Sequence, residues 1–388
     1  MKNIIGPPVY GDNFLFRDKQ LKMGLGLLEN ENSFLMLGIR RTGKSSYLKE
    51  MALKIKEKNA ANICIEIDCS TYQNVFDFYR GLYEAMPKQM GIRFKKALAD
   101  SKQLPKKIID FITDFIEVVS LEQIKINLRD KAITYNKTFE NLVINFLKNQ
   151  ENGNVFLFID ELPFFFENIS QEDNKIHEVQ MLLTSLRNWR HAGIPMGITG
   201  SLNLHQQLEH LGLSRKLLAG LNTITLKPFT REESKQLINQ LLATKKCGWW
   251  TNEVTETLLD LIPDYIPFFI QYAFHTVLVN ECNYIAKVEE TYHNDIIPGL
   301  FKDFIYQFDE RLKSFKGKSL NEAMELLDIV AKNNTATLEQ LQDASNNNFE
   351  YEVLIRLMDY EYLTLSGDQN YNFTLNIIKN WWIQKRNL

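Results

Sequence analysis

The sequence predicts an α/β core with a mostly parallel sheet, then an all-helical segment, then a winged helix. Three observations carry this. Short apolar runs alternate with helix-period stretches up to about residue 229, as in strands joined by crossover helices. From Thr230 to about Lys332 only helical periodicity is present. Beyond about residue 319, three helical stretches precede two short strands separated by Ser366-Gly367-Asp368-Gln369-Asn370, a turn sequence. The expected divisions are 1–229, 230–318 and 319–388.

The elements follow in order. Pro7-Pro8 and Gly11-Asp12-Asn13 are turn chemistry, and Lys19 to Leu28 reads as a helix. Phe34-Leu35-Met36-Leu37 reads as a buried strand, followed by Gly38-Ile39-Arg40-Arg41-Thr42-Gly43-Lys44-Ser45 and a helix to about Lys58. Residues 62–68 read as a second strand and Val75 to Met86 as a helix. The stretch 91–133 exceeds what a minimal sheet needs and reads as a helical, basic insertion. A helix over Lys137–Asn149 leads to the strand Val155-Phe156-Leu157-Phe158-Ile159, which ends in Asp160-Glu161. A helix over His177–Arg190, a strand over 194–199 and a strand over 223–226 complete the core. Thr230-Arg231-Glu232-Glu233 is a capping box that opens the helical segment. The last part is expected to hold helices near Leu320–Ala331, Thr337–Ala344 and Phe349–Asp359, a hairpin at 362–373 and a helix at Leu375–Gln384.

Residues 38–45 fit G-x-x-x-x-G-K-[ST], and they sit between a strand and a helix, the context that this phosphate-binding loop needs. Glycines let successive N–H groups point inward, and the following helix N-terminus adds partial positive charge. Gly38 to Ser46 would therefore cradle the phosphates of ATP. Lys44 would reach the β/γ oxygens, and the Ser45 hydroxyl would ligate Mg²⁺. The paired acids end a buried strand, where open α/β sheets place their ligands. Asp160 would hold the Mg²⁺ shell and Glu161 would polarise the attacking water.

Composition narrows the class further. The net charge is −3, so the chain as a whole has no electrostatic pull on nucleic acid. No stretch approaches the ~20 apolar residues of a membrane span. The N-terminus lacks a secretory apolar region, and the four cysteines have no C-x-x-C spacing, so a reducing cytoplasm is expected.

On these motifs and this order of elements, the chain resembles the archaeal-type ATPases of the AAA+ and STAND group, relatives of the origin-recognition ATPases. The resemblance runs from Gly11–Asp18, through the phosphate loop and Phe158-Ile159-Asp160-Glu161, to the C-terminal winged helix. It implies a sensor position at Thr199-Gly200-Ser201, filled by Thr199 or Ser201, where a polar group meets the γ-phosphate or the attacking water. It also implies an arginine-finger position at Arg215 that enters a neighbouring copy's site in a homo-oligomer, with Arg187 and Arg190 as further candidates. The segment 230–316 would be a lid over the adenine. A lid sensor arginine has no counterpart in residues 265–271, and Phe16-Arg17-Asp18 stands where relatives often carry Gly-Arg-Glu.

Charge separates the candidate partners. From residue 319 onward, five basic residues face ten acidic ones, a net of −5. Such a module repels duplex phosphates, so packing, regulation or a protein contact is expected of it. The basic run from Arg93 to Lys107 is the nucleic-acid candidate. Phe164-Phe165-Phe166 and Trp249-Trp250 are expected to pack in cores. The leading expectation is a nucleotide-driven switch acting on a protein partner. A DNA-associated ATPase and a nucleotide-binding scaffold without turnover are the alternatives.

Overall fold

A computed structural model describes residues 1–90, 153–163, 165–166, 176–202, 204–245, 247–344 and 349–388. The basic insertion, the expected helix at 137–149 and Phe164 lie outside the described residues.

Five parallel strands form the core sheet: β1 (Ser33–Gly38), β2 (Ile63–Asp68), β3 (Val155–Asp160), β4 (Met196–Gly200) and β5 (Leu221–Leu226), in the order β2-β3-β4-β1-β5. The interior strand β1, between β4 and β5, is buried along its whole length. Edge strand β5 alternates, with Ile224 and Leu226 inward and Thr223 and Thr225 outward, because one of its faces meets solvent. Residues 194–195 are not part of β4. Pro195 has no N–H to give a ladder, although its carbonyl accepts from Leu157 N.

Strand pleating feeds two cores from one strand. On one face Phe34 and Met36 pack with Tyr47 and Met51 from α2 (Lys44–Lys58) and Leu21 and Leu28 from α1 (Asp18–Glu29). On the other face Leu35 and Leu37 meet Phe78 from α3 (Val75–Met90) and Leu186 and Trp189 from α4 (Ile176–His191). Phe165 and Phe166 are fully buried in this second core. The successor of β1 in sequence, β2, lies at the far edge of the sheet, so the connection leaving β1 runs one way across the sheet and those leaving β2, β3 and β4 run back the other way. That reversal opens a crevice at the carboxyl ends of β1 and β3.

Helix α5 (Leu204–His210) follows β4, and Thr230 then starts α6 (Arg231–Leu242) with the expected reciprocal cap: Glu233 N donates to Thr230 Oγ1 and Thr230 N to Glu233 Oε2. The lid continues through α7 (Asn252–Leu261) and α8 (Pro267–Val279), where Trp250 packs on Phe274 with ring centroids 5.0 Å apart. A long bent rod follows: α9 (Ile285–Thr291), α10 (Ile297–Leu300) and α11 (Tyr306–Leu312), interrupted by π turns at Tyr292–Ile296 and Phe301–Ile305. The winged helix holds α12 (Lys318–Asn333), α13 (Leu338–Ala344), α14 (Tyr351–Asp359), the antiparallel pair β6 (Leu363–Leu365) and β7 (Tyr371–Phe373), and α15 (Asn376–Arg386).

Lid and winged helix share one apolar core, in which Ile238, Phe269 and Phe304 join Leu326, Leu357 and Trp382. Asp264 of the lid also accepts from the first amides of α15, Asn376 N at 3.0 Å and Ile377 N at 2.9 Å. Trp382 is fully buried, and its indole N–H donates to Asp328 at 2.8 Å. Trp382→Ala is expected to destabilise this shared body by about 3–5 kcal/mol. In urea unfolding followed by circular dichroism, the midpoint of the lid and winged-helix transition would fall. Two separate transitions, with the lid's unmoved, would argue against a common core.

No described helix is long and apolar enough to cross a membrane.

Candidate active site

The phosphate loop begins where β1 ends. A Cβ on Gly38 would lie 2.9 Å from Leu226 O and 3.0 Å from Thr42 Oγ1, so the close approach to β5 requires glycine. The chain then turns through left-handed backbone at Arg41 (φ 66°) and Gly43 (φ 98°), the latter immediately before α2. A non-glycine residue held there is stored strain, which is common where backbone must be aimed at a ligand. Thr42 Oγ1 closes the turn by donating to Ile39 O at 2.7 Å, and the Arg41 guanidinium lies 4.7 Å from the centre of the Phe268 ring in the lid. Lys44 is buried, and Nζ donates to Gly38 O at 2.8 Å and Ile39 O at 3.2 Å. Ser45 is half-buried at the first turn of α2. Ser46 is tied down from outside, its hydroxyl accepting from Val9 N at 3.0 Å.

The acids arrive on β2 and β3, beyond β4 from the loop's strand. Asp68 and Asp160 sit in register at the ends of β2 and β3. Thr199 on β4 is fully buried and donates from Oγ1 to Asp160 Oδ1 at 2.5 Å. Glu161 N donates to Asp160 Oδ1 at 3.1 Å and Thr199 Oγ1 at 2.9 Å. Glu161 itself has φ 58°. Burial raises its pKa; Lys44 opposes that shift, Asp160 adds to it, Arg40 opposes it and Glu361 adds to it. The two sequence motifs therefore meet: the loop ammonium and the paired acids act on one another electrostatically.

An open cavity of about 980 Å³ lies over this meeting point, floored by the phosphate loop, Asp160 and Glu161 and roofed by Pro267 and Phe268 of the lid. That is the size range of small-molecule sites. The lead-in also lines it and is strapped across to the lid, where Asn3 Nδ2 donates to Gln271 O at 3.1 Å.

Of the two sensor candidates, Thr199 touches Asp160. Ser201 starts the turn into α5, its carbonyl accepting from Leu204 N. Arg215 lies on the outer surface, paired with Glu209. Arg190 braces the same turn from inside, donating to Leu217 O and Ala219 O. Two arginines gain importance that sequence reasoning missed. Arg17 is buried at the loop's back, donating to Lys227 O at 2.7 Å and stacking 4.6 Å above Phe229, and burial lowers its pKa to about 10. Arg311 of α11 lines the cavity and donates to Tyr360 O at 3.1 Å. The Phe16-Arg17-Asp18 run was a signal for Arg17; nothing local marks Arg311.

Among the described residues, no group of three or more His, Cys, Asp or Glu side chains is gathered for a resident metal. The Ser45 hydroxyl and the Asp160 carboxylate fit Mg²⁺ that arrives with phosphate oxygens and keeps its waters.

The winged helix is docked rather than displayed. The α14 side chain that could reach out as a base, Arg356, lies 4.2 Å from the centre of the Phe315 ring and donates to Ser314 Oγ.

No protein-family model matches the chain, and no curated protein matches it in sequence. Solved structures do match its fold over nearly the whole length. A Walker-type ATPase of Pyrococcus abyssi is similar with a TM-score of 0.63 at 15% identity, over 98% of this chain and 99% of that one. The ORC2 protein of Aeropyrum pernix, in ADPNP-ADP complexes, gives 0.55 at 10% identity, over 100% of this chain and 98% of that one. Its ADP form gives 0.53 at 9% identity, over 98% and 97%. The chain has the fold of that Walker-type ATPase and of the ORC2 protein: a parallel five-stranded sheet, a helical segment and a C-terminal winged helix.

Proposed function

We propose that this chain binds ATP with Mg²⁺, hydrolyses it, and uses the nucleotide state to switch its contact with a protein partner. The observation that carries the reading is the convergence of buried Lys44 with Asp160, Glu161 and Thr199 beneath one lid-covered cavity. The amides of residues 38–46 hold the phosphates, and Lys44 leaves its two carbonyls for the β/γ oxygens. Ser45 and Asp160 would hold Mg²⁺, which would neutralise charge on the transferred phosphoryl. Glu161 accepts a proton from the attacking water, and Thr199 keeps the backbone of Glu161 and the carboxylate of Asp160 in place. Arg311 supplies a cation from the lid side. Arg215, paired with Glu209 and outside its own chain's cavity, acts only on a neighbouring copy in an oligomer.

The partner reading follows from charge and docking. The winged helix carries a net of −5, and Arg356 is engaged with the lid. The reading is tested by limited proteolysis and turnover with ATP·Mg²⁺, with and without duplex DNA, at low and high salt. The expected result is that ATP alters cleavage around 227–230 and DNA leaves turnover unchanged. Stimulation by DNA that falls steeply with salt would replace the protein partner with a nucleic acid.

A further inference from the structure

One face of α11 looks into the nucleotide cavity. Tyr306, Gln307, Glu310 and Arg311 line it, at i, i+1, i+4 and i+5, the spacing of a single helical face. Phe308 and Leu312 of the same helix are buried in the core shared by lid and winged helix. Arg311 is the basic residue of the lining face, and the acid beside it, Glu310, is paired with Lys313 at 2.6 Å.

Arg311 also holds the winged helix. Its Nη1 donates to Tyr360 O at 3.1 Å, and the guanidinium lies 5.5 Å from the centre of the Tyr360 ring. Tyr360 follows α14 and opens the turn into β6. The rod fixes the ring as well, with Phe315 at 5.8 Å between centroids and Ser314 Oγ 3.2 Å from the hydroxyl. Three bonds of 2.9 Å close the turn: Tyr360 N to Arg356 O, Glu361 N to Met358 O and Tyr362 N to Leu357 O. The closed turn is held at a local cost. Glu361 has φ 60°, and its buried carboxylate has neither oxygen hydrogen-bonded among the described residues. One side chain thus reaches both the nucleotide cavity and a strained turn of the winged helix.

The two contacts differ in strength. Tyr360 O is a neutral carbonyl that takes one N–H from Arg311. A terminal phosphate is an anion that takes two from the planar fork, and such charge-assisted pairs are the stronger. A ligand shifts an equilibrium between two states only by the contacts that differ between them. The phosphate that ATP has and ADP lacks is such a contact.

We propose that Arg311 distinguishes ATP from ADP by exchanging partners: with ADP it stays on Tyr360 O and the turn into β6 is seated, and with ATP it moves to the terminal phosphate and the turn loosens. The inference rests on the nucleotide reading above and supplies its regulation. The core around Trp382 and its bond to Asp328 lies outside the turn and stays whole. What loosens is the end of α14, the helix that packs against α5 of the sheet domain. The seam between winged helix and sheet then reports the nucleotide state.

The test uses the full chain with Mg²⁺ and either ADP or adenylyl imidodiphosphate, an ATP analogue that is not hydrolysed. Binding of each to the wild type, and its loss in K44A, are read first by calorimetry. R311A is expected to weaken the analogue by about 10–100-fold and to keep ADP within about twofold. Hydrogen exchange at the amides of Tyr360, Glu361 and Tyr362 is the second readout. In the wild type it should run at least about threefold faster with the analogue than with ADP, and in R311A it should be fast with both. If R311A does not fold, R311K carries the test, since lysine keeps the charge without the fork; its preference for the analogue over ADP should fall about 3–10-fold. A chain that binds neither nucleotide overturns the nucleotide reading and this inference together. Three results overturn the partner exchange alone while nucleotide still binds. They are an equal loss of both nucleotides in the Arg311 variants, no loss of either, and wild-type exchange at the turn that is the same with ADP and the analogue.

Discussion

Replacing Lys44 with alanine is expected to lower ATP affinity by at least about 100-fold and leave no measurable turnover. The ammonium is buried at the mouth of the loop and is held by two carbonyls, Gly38 O and Ile39 O. A charge-assisted hydrogen bond in such a place contributes about 1.5–3 kcal/mol, and Lys44 would make more than one to the phosphates. Its loss also removes the foremost electrostatic influence opposing the upward shift of Glu161. Isothermal titration with ATP·Mg²⁺ reads the first effect, and phosphate release reads the second. An affinity within threefold of wild type would mean that the triphosphate is held elsewhere.

Glu161→Gln is expected to reduce turnover by about 10²–10⁴-fold while ATP still binds, because glutamine keeps the shape and cannot take the proton. Two pH effects accompany it. The pKa of Glu161 is raised by burial, and the base must be ionised to act. Wild-type turnover should therefore fall off on the acid side at a higher pH than an ordinary carboxylate would give. Stability runs the other way. A carboxyl whose folded pKa lies above its unfolded value binds its proton more tightly in the folded state. That contribution is complete below the unfolded pKa and is lost as pH rises through the folded one. At neutral pH the wild type thus carries a penalty that E161Q lacks. The variant should melt at a higher temperature at pH 7.5, and the gap should close in acid. Equal melting temperatures at both pH values would show that Glu161 is not ionised against its surroundings. Slow turnover identical to wild type would leave a scaffold that binds nucleotide without consuming it.

Much of the core was legible because its signals are local. Gly38 and Gly43 mark where backbone must crowd or turn left-handed, and the unbroken apolar run Val155–Ile159 marks a strand buried on both faces. The acid balance of the winged helix was legible by counting. Its docking was not, since Arg356 meets Phe315 from 41 positions away with no periodic relation between them. Arg311 was hidden for a similar reason. Two π turns shift the helical register ahead of it, so ordinary i, i+3, i+4 counting does not say which way it faces. Glu161 and Glu361 both adopt positive φ without being glycine, and no composition rule announces that. Of the two, Glu161 lines the cavity.

The common core beneath lid and winged helix has a mechanical consequence. Parts that share an interior are coupled, so a hinge motion would carry the helical segment and the winged helix together as one lever. Its fulcrum falls at Lys227–Phe229, the stretch gripped by Arg17, whose guanidinium bonds Lys227 O and lies against Phe229. Rotation of a few degrees there, at the back of the phosphate loop, becomes a displacement of several ångströms at the far end of the arm.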